Sequence, residues 1–333
     1  MLLRYLAKRI IFMLFVFLLI SVVVFAIFRA VPGDPVLLHM NPEEMRLPRD
    51  MFEAVHAQIS QRLGLHRPVH IQYGIWLRNM LSGDFGFSSH HQASVNTVLQ
   101  GPLLVTLQVN LIVMMVVFLI SVPLGIFSAI KKGSVFDNSA QTVTLLGMSL
   151  PSFIIAIIAI MTFSVWLNLT PVSGFGDPLF LIHNPDATAL QLFRHRLPFM
   201  VLPVGVLSFA SLAGLTRFVR VAMIDSLSQD YIRTARSKGL GEGSVIWSHA
   251  FRNSMIPFVT SLVAWLVGLL TGSIIVEEIF SVQGMGRLFV NSIRTLDFNL
   301  AITIQTIFIV LILIGYLLVD FVYVLVDPRV RLS

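Results

Sequence analysis

Residues 103–130 read LLVTLQVNLIVMMVVFLISVPLGIFSAI, an unbroken run of 28 residues without a charged side chain. A helix needs about 20 mostly apolar residues to cross the hydrocarbon core of a bilayer, so this run predicts a transmembrane helix. Five further windows are equally free of charge: Ile10–Phe28, Ser139–Leu167, Leu197–Thr216, Pro257–Val276 and Phe298–Val319. The sequence therefore predicts an all-α polytopic membrane protein with six transmembrane helices.

The composition excludes several other classes of protein. Of the 333 residues, 56% are hydrophobic and only 12% are charged, whereas soluble domains contain about a quarter charged residues. A disordered chain is excluded by the same apolar excess. Because there is no cysteine, a disulfide scaffold, a thiolate metal site and a cysteine nucleophile are excluded as well.

The net charge of +6 is distributed unevenly along the chain. If both termini lie in the cytoplasm, the inner segments hold thirteen of the 23 basic residues and only five of the 17 acidic ones. Cytoplasmic loops of membrane proteins carry such an excess of Lys and Arg. The charge thus predicts cytoplasmic termini, and it does not indicate binding to nucleic acid.

Two long connections divide the chain. The sequence predicts an N-terminal cytoplasmic segment with the first transmembrane helix over 1–32, and an extracytoplasmic loop subdomain over 33–101. Glycines and prolines punctuate this subdomain, which predicts short helices joined by tight turns. Residues 102–333 are then predicted to form a core of five helices that includes a cytoplasmic loop at 217–256.

The cytoplasmic loop has the pattern of two short helices. Ile224, Leu227 and Tyr231 recur at helical spacing, and Ser226 with Gln229 fits a capping box, with Ser228 as a rival cap. Gly239 is a natural stop for this helix. A second helix is predicted from Ser244 to Asn253, before Pro257.

The exposed face of the first helix is expected to combine small residues with cations. The small residues are Thr234, Ala235, Ser237 and Gly239, and the cations are Arg236 and Lys238. Such a face allows close approach by another protein, but the same charges would attract anionic lipid. On physical grounds alone the two interpretations carry equal weight.

Two segments of this loop resemble a known family. They read QDYIRTARSKGL over 229–240 and HAFRNSMIP over 249–257. Both are similar to the coupling loop of ATP-binding-cassette (ABC) importer permeases, in the B-type subunits of the dipeptide, oligopeptide and nickel branch. The resemblance extends to RAVPGDP at 29–35, GDFG at 83–86, VEEIF at 276–280 and DPR at 327–329.

The resemblance implies roles for particular residues. Arg233, Thr234 and Ala235 occupy the three lead positions of the coupling motif, and Gly239 is its glycine. The leading acidic residue of the general motif is absent. The ATPase-coupling residues implied are Tyr231, Arg233, Thr234, Ala235, Lys238, Gly239, Arg252, Asn253 and Pro257.

Three acidic residues are further candidates. Glu277 and Glu278 end the fifth window at its outer side, where the family resemblance favours an outer gate or a contact with a binding protein. Asp320 lies close to membrane depth, where acidic residues are often functional. It could equally be hydrated or paired.

The histidines of the external loop suggest a metal site, because imidazole is the commonest metal ligand. They are His56, His66, His70, His90 and His91. No spacing among them defines a set of ligands, so no metal site is predicted.

The sequence contains no Walker-type glycine–lysine loop, so the chain cannot bind ATP by that motif. By resemblance it is not an enzyme and binds no cofactor itself, with ATP and Mg²⁺ held on partner ATPases. The implied partners are a homologous second permease (forming a heterodimer), two ATPase subunits, an extracytoplasmic solute-binding protein and membrane lipid. The implied location is the cytoplasmic membrane of a prokaryote.

The resemblance implies import of di- or oligopeptides, with nickel chelates, glutathione or another small solute as alternatives within the branch. An ion-coupled secondary transporter would place charges near the bilayer midplane and show repeated halves. The six windows show neither. An intramembrane hydrolase lacks HExxH and GxSxG signatures.

Overall fold

The computed structural model describes residues 2–31, 34, 36–37, 40–41, 43–62, 64–176, 178–254 and 273–326. In chain order the described helices are α1 (Leu2–Ala30), α2 (Arg49–Arg62), α3 (Val69–Leu81), α4 (Val95–Ile130), α5 (Val135–Ser149), α6 (Ser152–Ala159), α7 (Pro178–His183), α8 (Ala189–Leu227), α9 (Asp230–Ser237), α10 (Glu242–Ser244), α11 (Arg252–Ser254), α12 (Ile274–Ile279), α13 (Met285–Arg294) and α14 (Phe298–Val326). A 3₁₀ turn covers Glu44–Arg46, and π-helical turns cover Ile160–Trp166 and Val245–Phe251.

The chain divides into two compact units. One contains Met1–Leu104 with Gly284–Ile314, and the other contains Val105–Gln283 with Gly315–Ser333. The prediction of an all-α membrane protein is confirmed, with one small exception in the first unit. There, strands β1 (Phe87–Ser88) and β2 (Ala93–Ser94) form an antiparallel hairpin, with Phe87 opposite Ser94.

In the first unit, aromatic contacts join α3 to α1. The Phe25 ring of α1 lies 5.5 Å from the ring of Tyr73 and 5.6 Å from that of Trp76. The hydroxyls of Ser21 and Tyr73 are hydrogen bonded at 2.8 Å. The short helices predicted within residues 33–101 are therefore present as α2 and α3, and α3 packs on the C-terminal part of α1.

Buried Asp297 fixes the hairpin to the start of α14 within the first unit. Its Oδ2 accepts hydrogen bonds from the Ser88 hydroxyl and from the backbone N–H of His90. Its Oδ1 accepts the N–H of Leu300 at 3.3 Å, as an N-capping carboxylate does. In the same unit, one buried apolar cluster joins α4, α13 and α14, and it includes Val95, Met285 and Leu300.

Four described helices are long and apolar enough to cross a membrane. They contain the segments Ala7–Ala30, Val95–Ile130, Ala189–Leu227 and Phe298–Phe321. These segments cover the first, second, fourth and sixth predicted windows.

The third and fifth windows have different outcomes. The third window, Ser139–Leu167, is divided just before Pro151, where α5 meets α6 and its π-helical continuation at a bend of 105°. The bend falls at Leu150, which is extended (ψ 130°) because the following residue is Pro151. Most of the fifth window, residues 257–272, lies outside the described residues, and only its end is seen, in α12.

The second unit is organised around α8. This helix starts at a capping box, in which Thr188 and Gln191 bond each other's backbone N–H groups. Its 39 residues span about 58 Å, nearly twice the hydrocarbon thickness. Because Arg196 and Arg217 flank its charge-free part, both ends of α8 extend beyond the apolar layer.

Close helix contacts hold α8 in place. A Cβ atom added at Gly125 of α4 would lie 2.8 Å from the carbonyl oxygen of Thr216, and one at Gly147 of α5 would lie 2.7 Å from that of Phe209. Small residues allow helices to approach this closely in membranes. Gly125 and Gly147 therefore bring α4 and α5 into close contact with α8. Gly205 and Gly214 have no such neighbour.

Candidate functional site

The candidate site is the helical segment that follows α8, residues 228–254, called here the coupling loop. α8 ends at Leu227, and Ser228 and Gln229 form a turn before α9 begins. The predicted capping box of Ser226 and Gln229 is wrong, because Ser226 lies inside α8 and the Gln229 side chain makes no cap. The helix is continuous through Ser226 because its hydroxyl has other partners.

Ser226 ties the two halves of the coupling loop together. Its hydroxyl oxygen lies 2.6 Å from the hydroxyl of Tyr231 and donates to the carbonyl oxygen of Ala250 at 2.8 Å. The end of α8, the start of α9 and the second helix thus meet at one buried hydroxyl. Tyr231 is held by this contact, although 38% of it is exposed.

The predicted stop at Gly239 is confirmed. Gly239 has a φ of +76°, a left-handed conformation that glycine adopts without penalty. Its N–H donates to the carbonyl of Arg236 at 2.9 Å, and the N–H of Leu240 donates to the carbonyl of Ala235 at 3.3 Å. These two bonds form a Schellman motif, so the chain turns at a defined angle after α9.

The second helix is also present, as α10, a π-helical turn and α11 in succession. α9 packs on it through Ile232 and Ala235, which are buried with Val245 and Ala250. The expectation that Ala235 lies on the exposed face is therefore wrong, because that methyl group is part of the core of the loop. A small residue is needed there for α9 to approach the second helix.

The exposed face of the coupling loop is rich in cations. Its exposed members are Arg233, Thr234, Lys238, Arg252 and Asn253. The Arg233 side chain is 79% exposed and only 3.6 Å from the carboxylate of Asp230, a solvent-exposed pair that contributes little to stability. Pro257, the last predicted coupling residue, lies outside the described residues. The coupling loop therefore presents a rigid helix with a positively charged surface.

Arg236 and Glu242 connect α9 to the start of the second helix. Nε of Arg236 donates to Oε1 of Glu242 at 2.7 Å, and Nη2 donates to Oε2 at 3.2 Å. The hydrogen bond from Arg236 lowers the pKa of Glu242, and the same bond raises the pKa of Arg236. This solvent-exposed ion pair connects the two sides of the turn at Gly239.

Glu277 and Glu278, the two acidic candidates of α12, differ in exposure. Glu277 of α12 is 5% exposed, and the Thr106 hydroxyl of α4 donates to its Oε1 at 3.1 Å. Glu278 is half-buried. In this conformation Glu277 faces the interior of the second unit, so an outside partner would reach it only after a rearrangement.

Asp320 and the histidines complete the list of candidates. Asp320 is half-buried near the end of α14. Within the part of the chain that the structure describes, no three His, Asp or Glu side chains are grouped as a metal ion requires. His56 instead contacts Asp34, with 2.5 Å between Nε2 and Oδ2.

One pair of charged residues was not recognised in the sequence. Asp137 of α5 and Arg220 of α8 form a two-pronged ion pair, with both N–O distances 2.7 Å. They are 83 residues apart, so no local spacing relates them. Their only signals are an acidic residue in the first turn of a helix and a basic residue near the end of another.

Comparison with known proteins decides the family. Residues 121–332 match the family described as binding-protein-dependent transport system inner membrane component, and residues 2–97 match the N-terminal region of such membrane components. The chain belongs to this family. The resemblance inferred from the sequence is confirmed, and the protein is a permease of the binding-protein-dependent importers.

Relatives of this permease are similar over their whole length. The oligopeptide transport system permease protein AppB of Bacillus subtilis is 34% identical over 98% of this chain and 99% of its own. The dipeptide transport system permease protein DppB of Escherichia coli K12 is 33% identical over 99% of each chain. A Lactococcus lactis DppB is 34% identical over 99% of each.

Proposed function

We propose that this permease is the B-type transmembrane subunit of an ABC importer for di- or oligopeptides. The observation that carries the proposal is full-length similarity to permeases that are named for peptide transport. The exposed cationic helix of the coupling loop supports the same conclusion, because it offers a rigid docking surface at the end of α8.

The proposed topology has six spans with both termini in the cytoplasm of a prokaryotic cell. Residues 33–101 would form an extracytoplasmic subdomain, and 102–333 the permease core. The third span would contain the bend at Pro151, and the fifth would lie mainly over 257–272. The excess of basic residues on the proposed inner segments, Lys131, Lys132, Arg217 and Arg220 among them, supports this orientation.

The proposed mechanism is alternating access. In this mechanism two ATPase subunits hold ATP and Mg²⁺, and their closure displaces the coupling loop. The residues proposed to transmit the displacement are Tyr231, Arg233, Thr234, Lys238, Gly239, Arg252 and Asn253, together with Pro257 just after the loop. Because α9 is fixed to α8 by the contact between the hydroxyls of Tyr231 and Ser226, a displacement of the loop also moves α8. A second permease would complete the pathway, and a binding protein would deliver the peptide from outside.

Reconstitution tests this proposal. The chain, a second permease and two ATPases are inserted into liposomes, with the binding protein and labelled solutes of several kinds outside. We expect ATP-dependent uptake of peptides of two to a few residues. Uptake of nickel chelates or of glutathione in preference to peptides would overturn the assigned substrate. Uptake by this chain alone, driven by an ion gradient, would overturn the assignment as an ABC permease.

A further inference from the structure

The Asp137–Arg220 ion pair is built as a directional connection between two helices. The Asp137 side chain is 1% exposed and that of Arg220 is 20% exposed. Nε of Arg220 donates to Oδ1 at 2.7 Å and Nη2 donates to Oδ2 at 2.7 Å. A guanidinium and a carboxylate joined by two parallel bonds fix angle as well as distance. Apolar packing between helices lacks this directionality.

Asp137 also fixes the turn that precedes α5. The N–H of Gly133 donates to its Oδ2 at 2.9 Å, and Gly133 has a φ of +77°. The Ser134 side chain caps α5 by accepting the N–H of Asp137 at 3.3 Å. A carboxylate in the first turn also suits the helix dipole. One buried carboxylate therefore holds the turn after α4, the start of α5 and the side of α8.

The pair lies close to the coupling loop. Arg220 is seven residues before the end of α8 at Leu227, about 10 Å along the helix axis. Further from the loop, α8 touches α4 at Gly125 and α5 at Gly147. At Gly147 the contact between α5 and α8 is close packing, whereas near Gly125 the Ser121 hydroxyl of α4 also donates to the carbonyl oxygen of Leu212 in α8 at 3.3 Å. The ion pair is therefore what specifies the orientation of α8 on α5.

We propose that Asp137 and Arg220 are positioning residues that make α5 move together with α8 when the ATPases displace the coupling loop. The inference rests on the proposed function. Motion of α5 would reach the bend at Leu150 and Pro151, where α6 starts at 105° to it. Without the pair the coupling loop still moves, but α5 and the bend no longer follow it.

The experiment compares variants in the reconstituted complex with peptide-loaded binding protein. Asp137→Asn should lower peptide uptake about tenfold, within the usual range of coupling between sites. It should leave the ATPases bound and hydrolysing, so that more ATP is consumed per peptide. Arg220→Gln, which removes the same ion pair but leaves the bond from the Gly133 N–H to Asp137 intact, should lower uptake to a similar extent. Asp225→Asn, an exposed acid on the same helix, is the matched control and should behave as wild type.

Several results would overturn the proposal. One is wild-type uptake by Asp137→Asn. Another is a parallel loss of uptake and hydrolysis in both Asp137→Asn and Arg220→Gln, since this would show a purely structural role. If wild-type complex shows no ATP-driven uptake, the proposed function fails instead, so the two failures are distinguishable.

A second measurement covers the case in which the substitutions prevent folding. Because the chain has no cysteine, Asn138→Cys and Val221→Cys, both exposed neighbours of the pair, can carry the only two nitroxide labels. We expect the same spin–spin broadening in the nucleotide-free complex and in the complex trapped with ATP and vanadate. Loss of broadening on trapping would show that α5 and α8 separate, which contradicts the proposal.

Discussion

α8 and the α5–α6 pair respond differently to proline. α8 continues as one helix through Pro198 and Pro203, whereas the chain bends by 105° where α5 meets α6 at Pro151. The difference lies in the backbone conformation of the residue that precedes each proline. Leu150 is extended, and its N–H already closes α5 by donating to Leu146. α8 instead remains helical at Leu197 and Leu202, which precede its two prolines. Membrane helices tolerate proline where neighbouring groups satisfy the freed backbone groups. In this chain the same Leu–Pro step therefore ends one helix and leaves another continuous.

The contrast suggests distinct mechanical roles for the two regions. α8 is a rigid connection that ends at the coupling loop, and the α5–α6 bend is a place where rotation is possible. Substitutions in the two regions should therefore have different consequences.

Substitution of the close-contact glycines should have the largest effect. Gly125→Ala or Gly147→Ala places a methyl group within 3 Å of a backbone carbonyl, and such overpacking destabilises by about 1–3 kcal/mol. Thermal unfolding of the purified complex in detergent measures this. Gly214→Ala, on α8 with open space around it, is the control and should be neutral or stabilising. Equal effects at all three positions would mean that α8 is not held by close contact.

Gly239→Ala should weaken the end of α9. A Cβ there meets no neighbour, so the effect comes only from the left-handed backbone, about 1–2 kcal/mol. The loop should then present α9 less precisely, and uptake should fall while the chain still inserts in the membrane. Gly241→Ala, at a φ of −64°, is the matched control. Unchanged uptake with Gly239→Ala would contradict the assigned role of the turn.

Pro151→Ala should loosen the bend. Alanine removes the constraint that proline places on Leu150. The unfolded chain then has more conformational freedom to lose on folding, which destabilises the bent conformation by about 0.4–1 kcal/mol. Uptake should fall because α5 and α6 can straighten. Pro198→Ala in α8 should have the opposite sign, since it restores a backbone donor inside a helix. Circular dichroism and uptake, measured side by side, check both. A gain of uptake with Pro151→Ala would rule out the bend as a functional element.

The Arg236–Glu242 pair should show the smallest effect, because it is exposed to solvent. Arg236 lowers the pKa of Glu242, so the contribution of the pair is present at neutral pH. It is lost as the pH falls through the folded-state pKa of that carboxyl group. Glu242→Gln should change uptake at neutral pH less than twofold, a small effect typical of surface pairs. Hydrogen exchange of residues 236–244, corrected for intrinsic rates, should be faster in acid for the wild type but not for the variant.

Much of the fold could be predicted because its signals are local. Four of the six windows correspond to long helices, and the Gly239 stop was correct because a left-handed position after a helix favours glycine. The 105° bend at Pro151 was not predictable from local sequence, because Pro151 and Pro203 both follow a leucine and only the first interrupts its helix. The Ser226 cap was wrong because its hydroxyl bonds to Ala250, which is 24 residues away.

The candidate site was predictable only in part, for the same reason. The cations of the coupling loop lie on its surface, as their charge requires. The burial of Ala235 depends on packing against Val245 and Ala250, which the sequence does not specify. The Asp137–Arg220 pair depends on tertiary structure in the same way. The acidic candidates Glu277, Glu278 and Asp320 have known positions now, and their roles remain predictions.

Docking of α9 on a partner ATPase can be tested by cross-linking. Because the chain has no cysteine, Thr234→Cys on the exposed face of α9 can carry a single photoactivatable group in native membranes. We predict a cross-link to an ATPase subunit that is absent when the group is placed at Leu111→Cys, on an exposed apolar part of α4. Cross-linking of Thr234→Cys to lipid alone would contradict the account.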